Sequence, residues 1–228
     1  MPYRRTENVA RRLAARHAAI IAAARDAASE GGMAAVQIAP VAQRAGIAAG
    51  TVYRYFPGKT DLVAALVQEI SASEIAALRR AADVAPGPLS ALSAAIMTFA
   101  TRMLRHRRLS FAATAEPVDG TLDPTQLAFR KALAGEFSAR IAAAVAGGHL
   151  PAQNTGLAAT ALVGLLIETL IGPLAQEPGG QENKQEEDKL QRERVQSLTL
   201  IALRALGVAD ARARGLVVQT KLPSDAAA

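Results

Sequence analysis

Apolar positions recur at three- and four-residue spacing along most of the chain. Leu13, Ile20, Ala24 and Ala27 fall near one face of a segment at 9–30. Leu62, Val63, Leu66, Val67 and Ile70 form a stripe at 59–78, and Leu92, Ile96, Phe99, Ala100 and Met103 form another at 89–106. This is the 3.6-residue period of amphipathic helices. The same reading places helices at 38–45, 49–55, 109–115, 124–146, 155–174 and 187–206, about nine in all, and no segment alternates as a strand does. Gly31-Gly32 ends the first helix, because glycine takes the left-handed conformation without penalty. Pro57-Gly58 and the run Ala85-Pro86-Gly87-Pro88 break the pattern again. Pro40 is compatible with a helix because it falls in the first turn. Asp61, three residues after Gly58, suits the start of the helix that follows. The polar stretch 177–188 reads as a mobile loop, and the tail beyond Asp210 as frayed.

Composition strengthens this all-α expectation. Half of the 228 residues are hydrophobic, only 4% are aromatic and there is no Trp. Alanine dominates, and it loses no side-chain entropy in a helix. The length allows one large domain or two modest ones. The absence of Cys removes disulfides and thiolate metal sites. His17, His106 and His149 are too scattered to form a ligand cluster, so neither a metal nor a cofactor is called for. The N-terminus is basic but has no apolar core of a signal peptide. The apolar run 161–175 is interrupted by Glu168 and is shorter than the roughly 20 residues that span a bilayer. A cytoplasmic protein with no membrane partner is expected.

The distribution of charge divides the chain. Residues 1–60 hold 9 Lys/Arg against 3 Asp/Glu, and residues 61–228 hold 17 of each. The formal charge of +6 therefore belongs to the first segment. This is the footprint of a phosphate-binding module, 1–60, joined to a neutral module, 61–228, with another task.

Within the basic segment, 41–62 (VAQRAGIAAGTVYRYFPGKTDL) reads as two short helices around a tight turn at Gly46, with the apolar Ile47 just after it. A DNA-binding helix-turn-helix needs these parts in this order: a helix that crosses the backbone, a small residue at the bend, and a helix for the major groove. Thr51, Tyr53, Arg54 and Tyr55 ride on the second helix, while Val52 and Phe56 are better core candidates. Lys59 opens the next helix and opposes its dipole. A phosphate between the lysine and the exposed N–H groups resolves that conflict. Arg54 has the reach for a guanine edge or a phosphate, with a solvated charge as the competing reading. Arg44 is divided between backbone contact and solvent. Arg4, Arg5, Arg11 and Arg12 read as an arm disordered without DNA that takes phosphate or the minor groove.

Residues 16–70 resemble the DNA-binding domain of the tetracycline-repressor (TetR/AcrR) family of bacterial transcription regulators. The likeness rests on Ala24, Gly31, Val41-Ala42, Ala45-Gly46, Gly50-Thr51-Val52-Tyr53, Tyr55-Phe56, Lys59 and Leu62. It implies a homodimer of all-helical subunits, each with a three-helix DNA-binding head and a larger helical body that binds an inducer. Beyond Ile70 only size and helix count agree. The family often carries Ser or Thr where this chain has Gln37 and Ala48, and a polar residue where it has Ala49. Alanine neither caps a helix nor reaches a phosphate, so reading at Ala48 and Ala49 is apolar, for example against a thymine methyl. With Gly50, these complete the expected DNA-contacting set.

The body gives weaker signals. Phe99, Met103, Phe111, Leu127, Phe129, Phe137 and Leu162 line an apolar chamber on one reading and are plain core on the other. Glu168 is costly inside an apolar helix unless paired; ligand, partner subunit and solvent stand open for it. Arg102, His106, Glu116 and Arg130 are further polar candidates. Small and aliphatic faces, Ala161, Leu165 and Thr169 on one helix and Val195, Leu198, Ala202 and Ala205 on another, predict pairing with symmetry mates. The function expected is a ligand-responsive regulator, a repressor released from a pseudo-palindromic double-stranded operator by a small apolar effector. A ligand-independent or architectural DNA-binding protein is the alternative, although it has no need of a large neutral body. No nucleophile–base set or phosphate loop points to an enzyme.

Overall fold

In the computed structural model, residues 3–116, 124–175 and 184–220 are described. They form ten helices: α1 Tyr3–Ala35, α2 Ile38–Arg44, α3 Ala49–Tyr53, α4 Lys59–Asp83, α5 Pro88–Arg105, α6 Arg107–Thr114, α7 Pro124–Ala146, α8 Thr155–Ala175, α9 Lys184–Ala205 and α10 Asp210–Gln219. There is no strand among the described residues. The all-α expectation holds, with one helix more than the periodicity predicts. The extra helix is α10, where a frayed tail is expected. Ala213 and Val217, one turn apart, are buried against the body, and the Thr220 hydroxyl lies 2.9 Å from that of Ser93 on α5. Two buried side chains on so polar a segment are too few to register as a period. Part of the expected loop at 177–188 is also helical, because α9 begins at Lys184; 177–183 lie outside the described residues.

The apolar interior falls into two clusters. One gathers α1 from Ile20 onward, α2, Val52 and Phe56, the first half of α4 (Leu62 to Ile70), and Leu109, Ala112 and Ala113 of α6. The other gathers Leu78 and Ala82 of α4 with α5, α7, α8, α9 and α10. Helix α4 thus runs through both, as its long apolar stripe requires. Ion pairs fasten it on its flanks. Arg102 of α5 donates from Nε and Nη2 to both carboxylate oxygens of Glu74, at 2.9 and 3.0 Å, and both side chains are buried. A forked pair of this kind fixes geometry as well as charge. Arg79 of α4 donates to Glu136 of α7 at 2.7 Å, and Arg25 of α1 pairs with Glu69.

Two turns set the shape of the first cluster. Gly46 follows α2 at φ 68°, and the N–H groups of Gly46 and Ile47 donate back to Gln43 and Ala42 at 3.1 and 3.0 Å. This closes α2 in a Schellman turn, with Ile47 packed on the cluster it has just left. Gly32 bends α1 at φ 71°, ψ −168°, a conformation essentially restricted to glycine. A carboxylate oxygen of Glu116, at the end of α6, accepts the N–H of Met33 at 3.1 Å. The start of α7 holds the end of α6 in turn: Gln126 donates to the Glu116 carbonyl at 3.0 Å and Arg130 to that of Thr114 at 3.1 Å.

Helix α8, at 21 residues, is longer than the apolar run 161–175 and is long and apolar enough to cross a membrane by length and composition. Here it packs on α5, α6, α7 and α9. Its other side exposes Leu157, Ala161, Gly164, Glu168 and Gly172.

Candidate nucleic-acid interface

Helix α3 is only five residues long, and Val52 (0% exposed) with Phe56 (4%) anchors it to the first cluster. Everything else on it faces outward to some degree. Ala48, Gly50, Tyr53 and Arg54 are exposed, and Ala49 and Thr51 are half-buried. Tyr53 is 53% exposed, which suits a side chain that waits for a partner rather than one that packs. Ala48 occupies the N-cap with extended backbone and offers no side-chain cap. Gln37 occupies the same place before α2, but its amide donates to the carbonyl of Ala34 at 3.0 Å instead of capping. Lys59 is exposed at the first position of α4, behind the uncapped Gly58. The free N–H groups there share the positive end of the dipole with the ammonium group.

Two residues of the expected set are differently engaged. Arg44 donates from both terminal nitrogens to Glu30 of α1, at 2.7 and 2.6 Å. The bond from Arg44 holds the Glu30 carboxyl below its usual range, and Glu30 raises Arg44 in return. The guanidinium is therefore neither simply solvated nor free for a phosphate. Tyr55 is half-buried, its hydroxyl is enclosed without a hydrogen-bond partner, and its ring meets His17 of α1 edge-on at 6.3 Å. An enclosed hydroxyl points to packing rather than to a backbone contact. His17 also lies 5.1 Å from the ring of Phe56. The sequence reading missed this role for His17, though its spacing with Leu13 and Ile21 on one line of α1 was available.

Among the described cations of the basic segment, Arg25 and Arg44 are paired with carboxylates. Arg11, Arg12, Arg16, Arg54 and Lys59 are exposed and pair with no described carboxylate. Arg4 and Arg5 fall where side chains lie outside the described residues.

In the body, Phe99, Met103 and Leu162 join one buried cluster with Phe129 and Phe137, and Phe111 packs partly buried against it. Leu127 is 39% exposed and lies outside that cluster. Arg130 reaches the end of α6, as described above, and leaves its Nε buried without a partner. Glu168 is exposed, so its charge carries no burial cost. His106 is held below its ordinary range by burial and by Arg102. The expected pairing residues divide. Ala161, Thr169 and Ala205 are exposed and Leu165 is half-buried, but Val195, Leu198 and Ala202 lie in the subunit's own core. The outward line of α9 is instead Leu190, Ser197, Ile201 and Ala205. The error arises because α9 carries apolar residues on both faces, and periodicity does not say which face is inside.

Residues 20–66 match the family of bacterial regulatory proteins, tetR family. The likeness is confined to this segment, which supplies most of the first cluster. HTH-type transcriptional repressor KstR of Rhodococcus jostii is 58% identical over 43 residues, 18% of this chain and 20% of that protein. KstR of Mycobacterium tuberculosis is 58% identical over 45 residues, 19% and 20% of the two chains. The chain thus spans about a fifth of the length of the curated relatives it matches. Solved structures share the whole fold at lower identity. RolR in complex with resorcinol aligns at TM-score 0.68 and 21% identity, over 94% of this chain and 98% of its own. FadR from Bacillus subtilis in complex with stearoyl-CoA aligns at 0.65 and 19%, over 80% and 97%.

Proposed function

We propose that this protein is a ligand-responsive transcriptional repressor that binds double-stranded operator DNA as a homodimer. The observation that carries the reading is the excess of positive charge in residues 1–60, with Arg54, Lys59 and Tyr53 exposed on and beside the outward face of α3, while residues 61–228 hold 17 Lys/Arg against 17 Asp/Glu. Tyr53 and Lys59 take phosphates, Arg54 takes a base edge or a phosphate, and Ala48, Ala49, Gly50 and Thr51 let the backbone approach the groove floor. Arg44 and Gln37 act at the margin, the first only by leaving Glu30. Tyr55 sets the angle of the helix by packing.

The second subunit covers the exposed lines of α8 and α9: Ala161, Gly164, Leu165 and Thr169 with Ser197, Ile201 and Ala205. Two-fold symmetry then presents two copies of α3 to successive major grooves of a pseudo-palindrome. The effector is small and largely apolar, as the composition of the body cluster around Phe99, Met103, Phe111 and Leu162 favours. RolR with resorcinol and FadR with stearoyl-CoA are precedents for this fold holding organic ligands. The units are a head at 1–60 and an effector-binding and dimerisation body at 61–228, with α4 as the shared lever.

Footprinting on the DNA flanking the protein's own gene, repeated across a panel of small apolar compounds, tests the reading. Protection of a pseudo-palindrome, lost with at least one compound that also raises the thermal midpoint, is expected. Uniform protection without sequence preference and without any ligand response points to the architectural alternative instead.

A further inference from the structure

Helix α1 begins long before the head that it serves. Every residue from Asn8 to Ala19 is exposed, and burial starts abruptly at Ile20. At 1.5 Å per residue the helical stretch 3–19 projects about 25 Å. No described residue is acidic between Asn8 and Arg25, and Arg11, Arg12 and Arg16 pair with no described carboxylate. Arg25, Arg44 and Arg108, deeper in the protein, pair with Glu69, Glu30 and Glu116. The projecting stretch is rooted beside the recognition helix, where His17 packs on Phe56 and Tyr55, one to three residues beyond Tyr53 and Arg54. A lone helix of this length gains little from itself in water, and from Asn8 to Ala19 its charged residues, Arg11, Arg12 and Arg16, are all exposed and of one sign.

We propose that the first turns of α1 are a second DNA-contacting element, a helical arm that lies on the phosphate backbone flanking the groove entered by α3. The inference rests on the DNA-binding reading of the head and extends it to residues outside the matched segment 20–66. The partner is chosen by charge: an unneutralised cationic helix complements a polyanion. Its length equals about seven phosphates of one strand at 3.4 Å each. Arg12 and Arg16 stand one turn apart on the same face and engage the backbone together. Arg11 is turned away by about 100° from Arg12 and contributes less.

The test is fluorescence anisotropy of the full chain on a random-sequence 40-base-pair duplex, titrated with salt. The variant is Arg12→Gln with Arg16→Gln, since glutamine keeps the helix. The control is Arg80→Gln with Arg192→Gln, which removes the same charge from exposed positions of the body. Each lost phosphate contact lowers the slope of log K against log salt by about 0.9. The slope of the arm variant is expected to fall by about 1.8, and that of the control to stay unchanged. Between 50 and 200 mM salt the parent then loses roughly 12-fold more affinity than the arm variant. Equal slopes for parent and arm variant overturn the arm while leaving the head reading intact. Equal slopes with an altered sedimentation coefficient assign the arm to protein contact and overturn it too. A parent that binds neither this duplex nor its own flanking DNA overturns the head reading and the arm together.

Discussion

Tyr53 and Lys59 are the residues at which exposure, chemistry and position agree. Both stand at the outer edge of a short helix or at the start of the next, and neither has a hydrogen-bond or ion-pair partner among the described residues. A phosphate contact carries little sequence information. Tyr53→Phe and Lys59→Ala should therefore weaken binding about equally on operator and on random duplex. The lysine change should also lower the salt slope by roughly 1. A Lys59→Ala protein with unchanged affinity and slope would remove lysine from the interface. Arg44 shows where the sequence stops being informative. Its charge is plain in the sequence, but Glu30, which neutralises it, lies 14 residues away on another helix. Whether a cation is free depends on tertiary neighbours. Tyr55 misleads for a related reason, since its hydroxyl marks it as polar and only packing reveals that the hydroxyl is enclosed.

At the scale of elements, the helices with strong one-faced periodicity were legible to within a few residues, and so was the turn at Gly46. Helix α10 and the early start of α1 at Tyr3 were not. The two glycines at 31 and 32 read as a terminator, and Gly32 does break the helical course, with only a short helical piece to Ala35 beyond the kink. The glycines at 32 and 46 allow a graded test. A Cβ at Gly46 meets nothing within 4 Å, so Gly46→Ala bears only the cost of positive φ, about 1–2 kcal/mol. Gly32 has a ψ that only glycine adopts readily, and a Cβ there would collide with the Arg108 guanidinium and the Glu116 carboxylate. Gly32→Ala should lose about 2–3 kcal/mol and also free the Met33 N–H that Glu116 accepts. Urea midpoints rank the two variants, and hydrogen exchange at Met33 reports the broken contact. A Gly32→Ala protein as stable as Gly46→Ala would show that the bend is not held from α6.

For the whole molecule, the division into a basic part and a neutral part was legible from charge alone, because net charge needs no knowledge of contacts. Which surfaces remain for a second subunit was not, because α9 is apolar on two sides and only packing selects the inner one. The burial pattern now separates two kinds of substitution on the same helix. Leu198 is 4% exposed in the subunit core, so Leu198→Ala should cost about 2–5 kcal/mol of folding stability and leave the assembled species dimeric. Ile201, three residues on, is 51% exposed. In the proposed dimer Ile201→Glu places a carboxylate near its own symmetry mate, and it should split that dimer without disturbing the subunit core. On the proposed two-fold reading, in which two copies of α3 reach two half-sites together, the monomer should lose most of its operator preference while retaining salt-sensitive binding to random DNA. Sedimentation and anisotropy on both duplexes check this. A dimeric Ile201→Glu protein with full operator affinity would place the subunit contact elsewhere, and with it the geometry by which an effector in the body could set the spacing of the two recognition helices.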